Sequence, residues 1–242
     1  MGPEPAPPDG LPSPAFRPPR VALRIATAFV LYPLALFLPA GRLDWVEGWV
    51  LVGILVATGG AGSAILKKRH PDLVAERARF TRGAGVKPWD RVLAPVVAVL
   101  GPLATYVVSG LDERFAWTGP LPAWVPILGG LLAAAGSALS LSALAANRFF
   151  SSVVRIQSDR GQTVVSDGPY RRIRHPGYAG GLAFTIGVPL LLGSIPGLAT
   201  CLLTVGGLVL RTGLEDRTLR TELPGYEEYA AGVRWRLVPG IW

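Results

Sequence analysis

Charge disappears from this chain for long intervals and returns in clusters. Val92–Leu111, Phe115–Ala146 and Pro176–Leu210 contain no charged residue. A helix crosses the hydrocarbon core of a bilayer with about 20 predominantly apolar residues. The first interval therefore holds one crossing, and the last is long enough for two. The pattern predicts an all-α, polytopic integral membrane protein with about six crossings, near 22–40, 46–66, 92–110, 122–146, 178–193 and 196–213. Gly193-Ser194-Ile195-Pro196-Gly197 is rich in breakers and predicts a tight turn, so residues 178–213 read as a helical hairpin. Pro95, Pro102 and Pro189 fall inside crossings, where neighbouring helices can satisfy the carbonyls that a kink frees. Trp45, Trp49, Trp117 and Trp124 fall near crossing ends, as interfacial indoles do.

Composition agrees with this reading. Half of the 242 residues are apolar and 17% are charged, against about 25% in soluble domains. The mean hydropathy is +0.40. Cys201 is the single cysteine, which excludes an internal disulfide and reads as a small buried hydrophobe.

The net charge of +8 needs no nucleic acid to explain it. With six crossings, 22 of the 24 Lys and Arg fall on one side, and only Arg42 and Arg114 lie opposite. Basic residues concentrate on the cytoplasmic side, so both termini are expected there. No aromatic-rich basic module supports nucleic-acid binding.

Three regions follow. Residues 1–20 carry eight prolines and no periodicity and read as a disordered cytoplasmic tail. Residues 21–146 form an N-terminal four-helix membrane region, and 147–242 hold the chemistry. Arg17, Arg20 and Arg24 before the apolar run Ile25–Ala40 look like a signal peptide, but the basic lead is too long for one and the helix is expected to be retained.

Two stretches could carry chemistry. The first runs Gly168-Pro169-Tyr170-Arg171-Arg172-Ile173-Arg174-His175-Pro176-Gly177-Tyr178-Ala179-Gly180. Pro176 is pre-set for a first helical position, with His175 near the N-cap. A helix start flanked by arginines at a membrane boundary suits a carboxylate or phosphate. The bland alternative is a turn, a set of basic anchors, and glycines at 177, 180 and 181 that allow close helix packing. In the second stretch, Glu215, Leu219 and Glu222 share one face of the helix that continues the last crossing. Pro224-Gly225 ends that helix, Tyr226 and Tyr229 begin another, and Val233–Trp242 looks like an interfacial strip with indole anchors. The hairpin brings both stretches to one end. Cations and tyrosines then face carboxylates and tyrosines, a pocket suited to a zwitterion bearing a ribose.

At these residues the chain resembles the isoprenylcysteine carboxyl methyltransferase family, a group that includes bacterial relatives and phospholipid N-methyltransferases. The resemblance rests on Gly168-Pro169-Tyr170, Arg174-His175-Pro176, Tyr178, Gly180, Glu215-Asp216 and Glu222–Tyr229, and covers roughly Asn147 to Pro239. One departure is Asp216, where a second glutamate is common. The resemblance implies an S-adenosyl-L-methionine cofactor and a lipophilic acceptor, a carboxylate as in the family or an amine or thiol, entering from the bilayer on the cytoplasmic side. It implies cofactor contacts at Gly168, Pro169, Tyr170, Arg174, His175, Tyr178, Glu215, Glu222 and Tyr226. Arg174 and His175 are expected to meet the cofactor carboxylate, and His175 is the alternative general base. No His/Cys cluster has metal-ligand spacing, so no metal is expected. His70 reads as a solvated helix cap, with a substrate-side role as the alternative. The competing functions are an NADPH-dependent membrane reductase of the sterol-reductase type and a non-enzymatic membrane protein or transporter. The Glu215–Tyr229 segment favours the methyltransferase. The transporter reading expects ionisable residues inside crossings, which the proposed spans between 92 and 210 lack.

Overall fold

The computed structural model describes residues 30–79 and 85–242, without the side chains of residues 75, 78 and 79. The tail 1–20 and the first part of the predicted 22–40 crossing lie outside them. Among the described residues the protein is helical, with one isolated bridge between Ile173 and Trp235 in place of a sheet. We number the helices α1 (Val30–Ala40), α2 (Val46–Arg69), α3 (Pro71–Arg79), α4 (Asp90–Phe115), α5 (Trp124–Ala146), α6 (Pro176–Leu191), α7 (Ile195–Glu222) and α8 (Tyr226–Gly232).

Four of these, α2, α4, α5 and α7, are long and apolar enough to cross a membrane. The other two expected crossings are shorter as described. For α1 the described part is Val30–Ala40. The sixteen residues of α6 rise about 24 Å, less than the roughly 30 Å of a hydrocarbon core. Its start is fixed by Pro176 at the first helical position, and its end by Gly193 at φ +65° before the α7 N-cap Ser194. As the sequence pattern expects, α7 continues beyond the crossing and ends at Glu222, just before Pro224-Gly225. It runs 28 residues, about 42 Å, and carries Glu215 and Asp216 on one unbroken rod.

Shape fixes the packing in the apolar half. A Cβ on Gly136 of α5 would sit 2.5 Å from the Gly180 carbonyl oxygen and 2.6 Å from the Phe184 nitrogen of α6. One on Gly187 would sit 2.6 Å from the Ala133 nitrogen. Such a seam lets two backbones touch where lipid tails remove any hydrophobic advantage of helix contact. It aligns α5 and α6, the most extensively packed pair. Gly180 serves this role as expected, whereas Gly181 faces open space. Within α4, the turn Val96–Leu100 is a π-turn between Pro95 and Pro102, where the two prolines interrupt the regular ladder.

Two expectations need correction. Trp45 is not an interfacial indole: it is buried at 4% exposure against Phe37, while Trp49, Trp117 and Trp124 are exposed. The C-terminal strip is not a free interfacial segment. The Arg174 and His175 N–H groups donate to the Trp235 and Arg236 carbonyls at 2.8 and 3.0 Å, and Leu237 is buried. Backbone pairing makes the strip part of the site. Cys201 is buried as expected.

Candidate active site

The segment 147–175 crosses the charged end of the bundle with little regular structure, and buried side chains hold it. Gln157, 2% exposed, donates from Nε2 to the Phe149 carbonyl at 2.8 Å. Arg155 forks onto both carboxylate oxygens of Glu76 at 2.7 and 2.8 Å and also reaches Asp159. These bonds hold the Arg155 guanidinium charged, well above its ordinary range. Between this segment, the start of α6, the end of α7 and α8 lies a cleft with about 820 Å³ of empty space, its open mouth included.

Six of the nine residues expected from sequence line that cleft: Tyr170, Arg174, His175, Tyr178, Glu215 and Tyr226. Gly168, at φ +58°, and Pro169 do not line it. They form the short turn that turns Tyr170 inward. The Tyr170 hydroxyl accepts from Asn147 Nδ2 at 3.1 Å, and its carbonyl accepts from the Tyr229 hydroxyl at 2.7 Å. Burial pushes the Tyr170 phenol up, and that of Tyr229 up to about 12. Glu222 is apart from the others. It is exposed and pairs with Lys87 Nζ at 2.6 Å. It is the last residue of α7, about two turns beyond Glu215 on the same face, and its carboxylate turns to Lys87 instead of the cleft.

Asp216 is the hub that sequence reasoning left without a role. It is 1% exposed and accepts from Arg174 Nε at 2.7 Å and Nη2 at 3.1 Å, from Arg236 Nε at 2.9 Å, from Arg220 Nε at 3.2 Å and from the Tyr226 hydroxyl at 3.1 Å. His175 Nε2 lies 3.3 Å from the same carboxylate and 3.4 Å from the Tyr226 oxygen. The remaining Arg174 donors go to the Val233 and Arg234 carbonyls at 2.7 and 2.9 Å. Arg174 therefore lines the cleft while its guanidinium is held by Asp216 and the C-terminal strip. Burial pushes the Tyr226 phenol up, and the neighbouring Asp216 charge adds to the effect. A sequence signal for this hub existed: an aspartate one position from Glu215, on the face opposite the solvent, with Arg174, Arg220 and Arg236 in reach only after folding.

On the other wall, Tyr178 donates to Glu215 Oε2 at 2.5 Å, and its ring stacks on His175 with centroids 5.9 Å apart. Gly177 lies under the Phe150 ring, which a Cβ there would strike. Gly177 and Tyr178 line the cleft and lie in the first turn of α6, where helix geometry leaves N–H groups without an intrahelical acceptor. The site thus offers helix N–H donors, a carboxylate and aromatic faces within one cleft.

Residues 124–222 match the phospholipid methyltransferase family. The match covers less than half of the chain; together with the helices long and apolar enough to cross a membrane, it supports methyltransferase activity in an integral membrane protein, in keeping with the group that the sequence motifs resemble. No curated protein matches the chain. The matched stretch spans α5 to α7 and so contains the glycine seam, Tyr170, His175, Tyr178, Glu215 and Asp216. Tyr226 and Arg236, which close the site on Asp216, come from residues beyond it. His70 is the C-cap of α2, and its Nε2 lies 3.1 Å from the Ala145 carbonyl, away from the cleft.

Proposed function

We propose that this protein transfers a methyl group from S-adenosyl-L-methionine to a lipophilic acceptor that reaches the cleft from the bilayer, on the cytoplasmic face, with both termini on that side. The observation that carries the reading is the joining of Tyr170, Tyr178 and Glu215, all inside the stretch that matches a methyltransferase family, with Tyr226 just beyond it, around the first turn of α6.

The donor set fits the cofactor. The α6 start suits its carboxylate. Glu215 suits a ribose diol or the ammonium, and the faces of Tyr170 and Tyr178 attract a sulfonium by roughly 0.5–2 kcal/mol. When bound, the cofactor supplies an electrophilic methyl on sulfur. The residues of this chain orient and desolvate, which an in-line displacement needs more than acid or base. Asp216 holds Arg174, Tyr226 and the C-terminal strip in place, and His175 belongs to that cluster. We assign Arg174 and His175 to shaping the cofactor site. Gly168 and Pro169 present Tyr170.

The depth of the site supports a membrane acceptor. Because α6 is short and α7 long, the first turn of α6 lies level with Arg211–Glu215, and α7 continues for about two turns beyond it. The cleft floor is then close to the apolar part of the bundle, within reach of a lipid.

Purified protein in detergent should bind tritiated S-adenosyl-L-methionine and not NADPH. Membranes labelled with the methyl-tritiated compound should yield a labelled species on lipid extraction. Binding of NADPH without S-adenosyl-L-methionine would replace this reading with the reductase.

A further inference from the structure

Asp90 is the first residue of α4, ahead of the matched stretch, and it is completely buried. Its carboxylate grips two walls of the cleft at once. Oδ1 accepts from Arg211 Nε at 2.6 Å, and Oδ2 accepts from Arg211 Nη2 at 3.0 Å. Oδ2 also accepts the Val154 N–H at 2.6 Å, while the Val154 carbonyl accepts the Lys87 N–H at 3.0 Å. Arg211 in turn donates to the Ser152 carbonyl at 2.9 Å and places its guanidinium 5.2 Å from the centre of the Tyr178 ring. Tyr178 carries the contact on to Glu215. Val154, Tyr178 and Glu215 all line the cleft, whereas Asp90 does not reach it.

We infer that Asp90 is a positioning residue for the cofactor site: through Arg211 and the Val154 N–H it sets the distance between the 147–157 wall and the Tyr178–Glu215 wall. A cation buried to 7% exposure beside apolar helices needs a neutralising partner. Without the Asp90 charge, Arg211 has the Glu215 carboxylate as the next acceptor on its own helix, one turn away. Capture of Glu215 by Arg211 would take it from Tyr178 and from any cofactor group. A residue outside the matched stretch thereby completes the site, and the N-terminal helices gain a role in it beyond membrane anchoring.

The inference rests on the proposed cofactor, so its test starts with the unmodified protein. If that protein does not bind S-adenosyl-L-methionine, the functional reading fails before the role of Asp90 is reached. If it binds, Asp90→Asn should weaken binding at least tenfold. The control is Asp112→Asn at the opposite end of the same helix, where another buried carboxylate accepts from the Thr118 N–H and hydroxyl. It should lower Tm and leave the affinity within twofold. Arg211→Met should also weaken binding tenfold, and the double variant should be no worse than the weaker-binding single one, since both act through one contact. Arg211→Lys keeps the charge but loses the fork. It provides the measurement if Asp90→Asn does not fold, and should weaken binding several-fold with little change in Tm. Affinity that stays at the unmodified level in Asp90→Asn or Arg211→Lys, affinity that follows Tm equally in Asp112→Asn, or singles that simply multiply in the double variant would each overturn the inference.

Discussion

The apolar half of the bundle and its charged end are built on opposite principles. Between α5 and α6 the backbones touch through Gly136, Gly180 and Gly187, and the contact is one of shape. At the charged end the chain is irregular, and buried carboxylates hold it: Asp216 gathers three arginines and Tyr226, Asp90 holds Arg211, and Glu76 holds Arg155. The reason is the solvent. Lipid gives no hydrophobic drive to helix association, so close approach has to supply it. Where the chain leaves the apolar zone, unpaired backbone groups and charges need partners, and a few multidentate carboxylates satisfy many of them at once. The scaffold is thus rigid by contact, whereas single charged side chains tune the site.

The sharpest break is on the scaffold side. Gly136→Leu places a side chain against backbone that cannot move away. Overpacking with side chains that can shift costs about 1–3 kcal/mol. Against backbone we expect no folded protein, read as aggregation in size-exclusion chromatography.

On the charged side the largest effect falls on Asp216. Asp216→Ala leaves Arg174 buried without its partner, which costs about 3–5 kcal/mol, and should also release the C-terminal strip to proteolysis. Asp216→Glu restores charge but not fit, so recovery of Tm without recovery of S-adenosyl-L-methionine binding would separate the two functions of the hub. Equal Tm in Asp216→Ala and unmodified protein would break the comparison.

Tyr226→Phe is smaller. It removes one hydroxyl from a charged acceptor that keeps its other donors, a loss of about 1.5 kcal/mol, and calorimetry should show cofactor binding weakened by about tenfold. Glu222→Gln is smaller again. An exposed pair contributes roughly 0–1 kcal/mol, and with Glu222 outside the cleft the cofactor affinity should not change. A large loss of affinity in Glu222→Gln would return that residue to the site, where the sequence motif alone had put it.

The smallest effect is an acid dependence. A hydrogen bond from Arg160 holds the Asp72 carboxyl below its ordinary value. A lowered folded-state value means that the stabilisation is present above the reference near 3.9 and is lost as pH falls through the folded-state value. Asp72 is about half exposed, so solvent screens the pair. Tm measured from pH 5 to pH 3 should fall slightly less steeply in Asp72→Asn than in the unmodified protein.

Much of this was legible in the chain itself. Uncharged intervals marked the helices, since apolar length is a local property. Breakers at 193–197 placed the hairpin, and the motif residues named six side chains that do line one cleft. The end of α7 was legible too, because Pro224-Gly225 marks it; local composition does not encode which partners Glu215 and Asp216 find along that helix.

Where the chain is apolar, where the hairpin turns, and which residue types meet at its open end are local properties of the sequence. Which carboxylate organises the site follows from the fold. Asp216 looked like a departure from the motif and became its centre, Glu222 looked central and turned outward, and Asp90 carried no motif at all. Such roles depend on arginines 42 and 121 residues away in the chain arriving at hydrogen-bonding distance. That is a matter of three-dimensional geometry, because the energy of a buried ion pair comes from the desolvated contact and not from the presence of either residue.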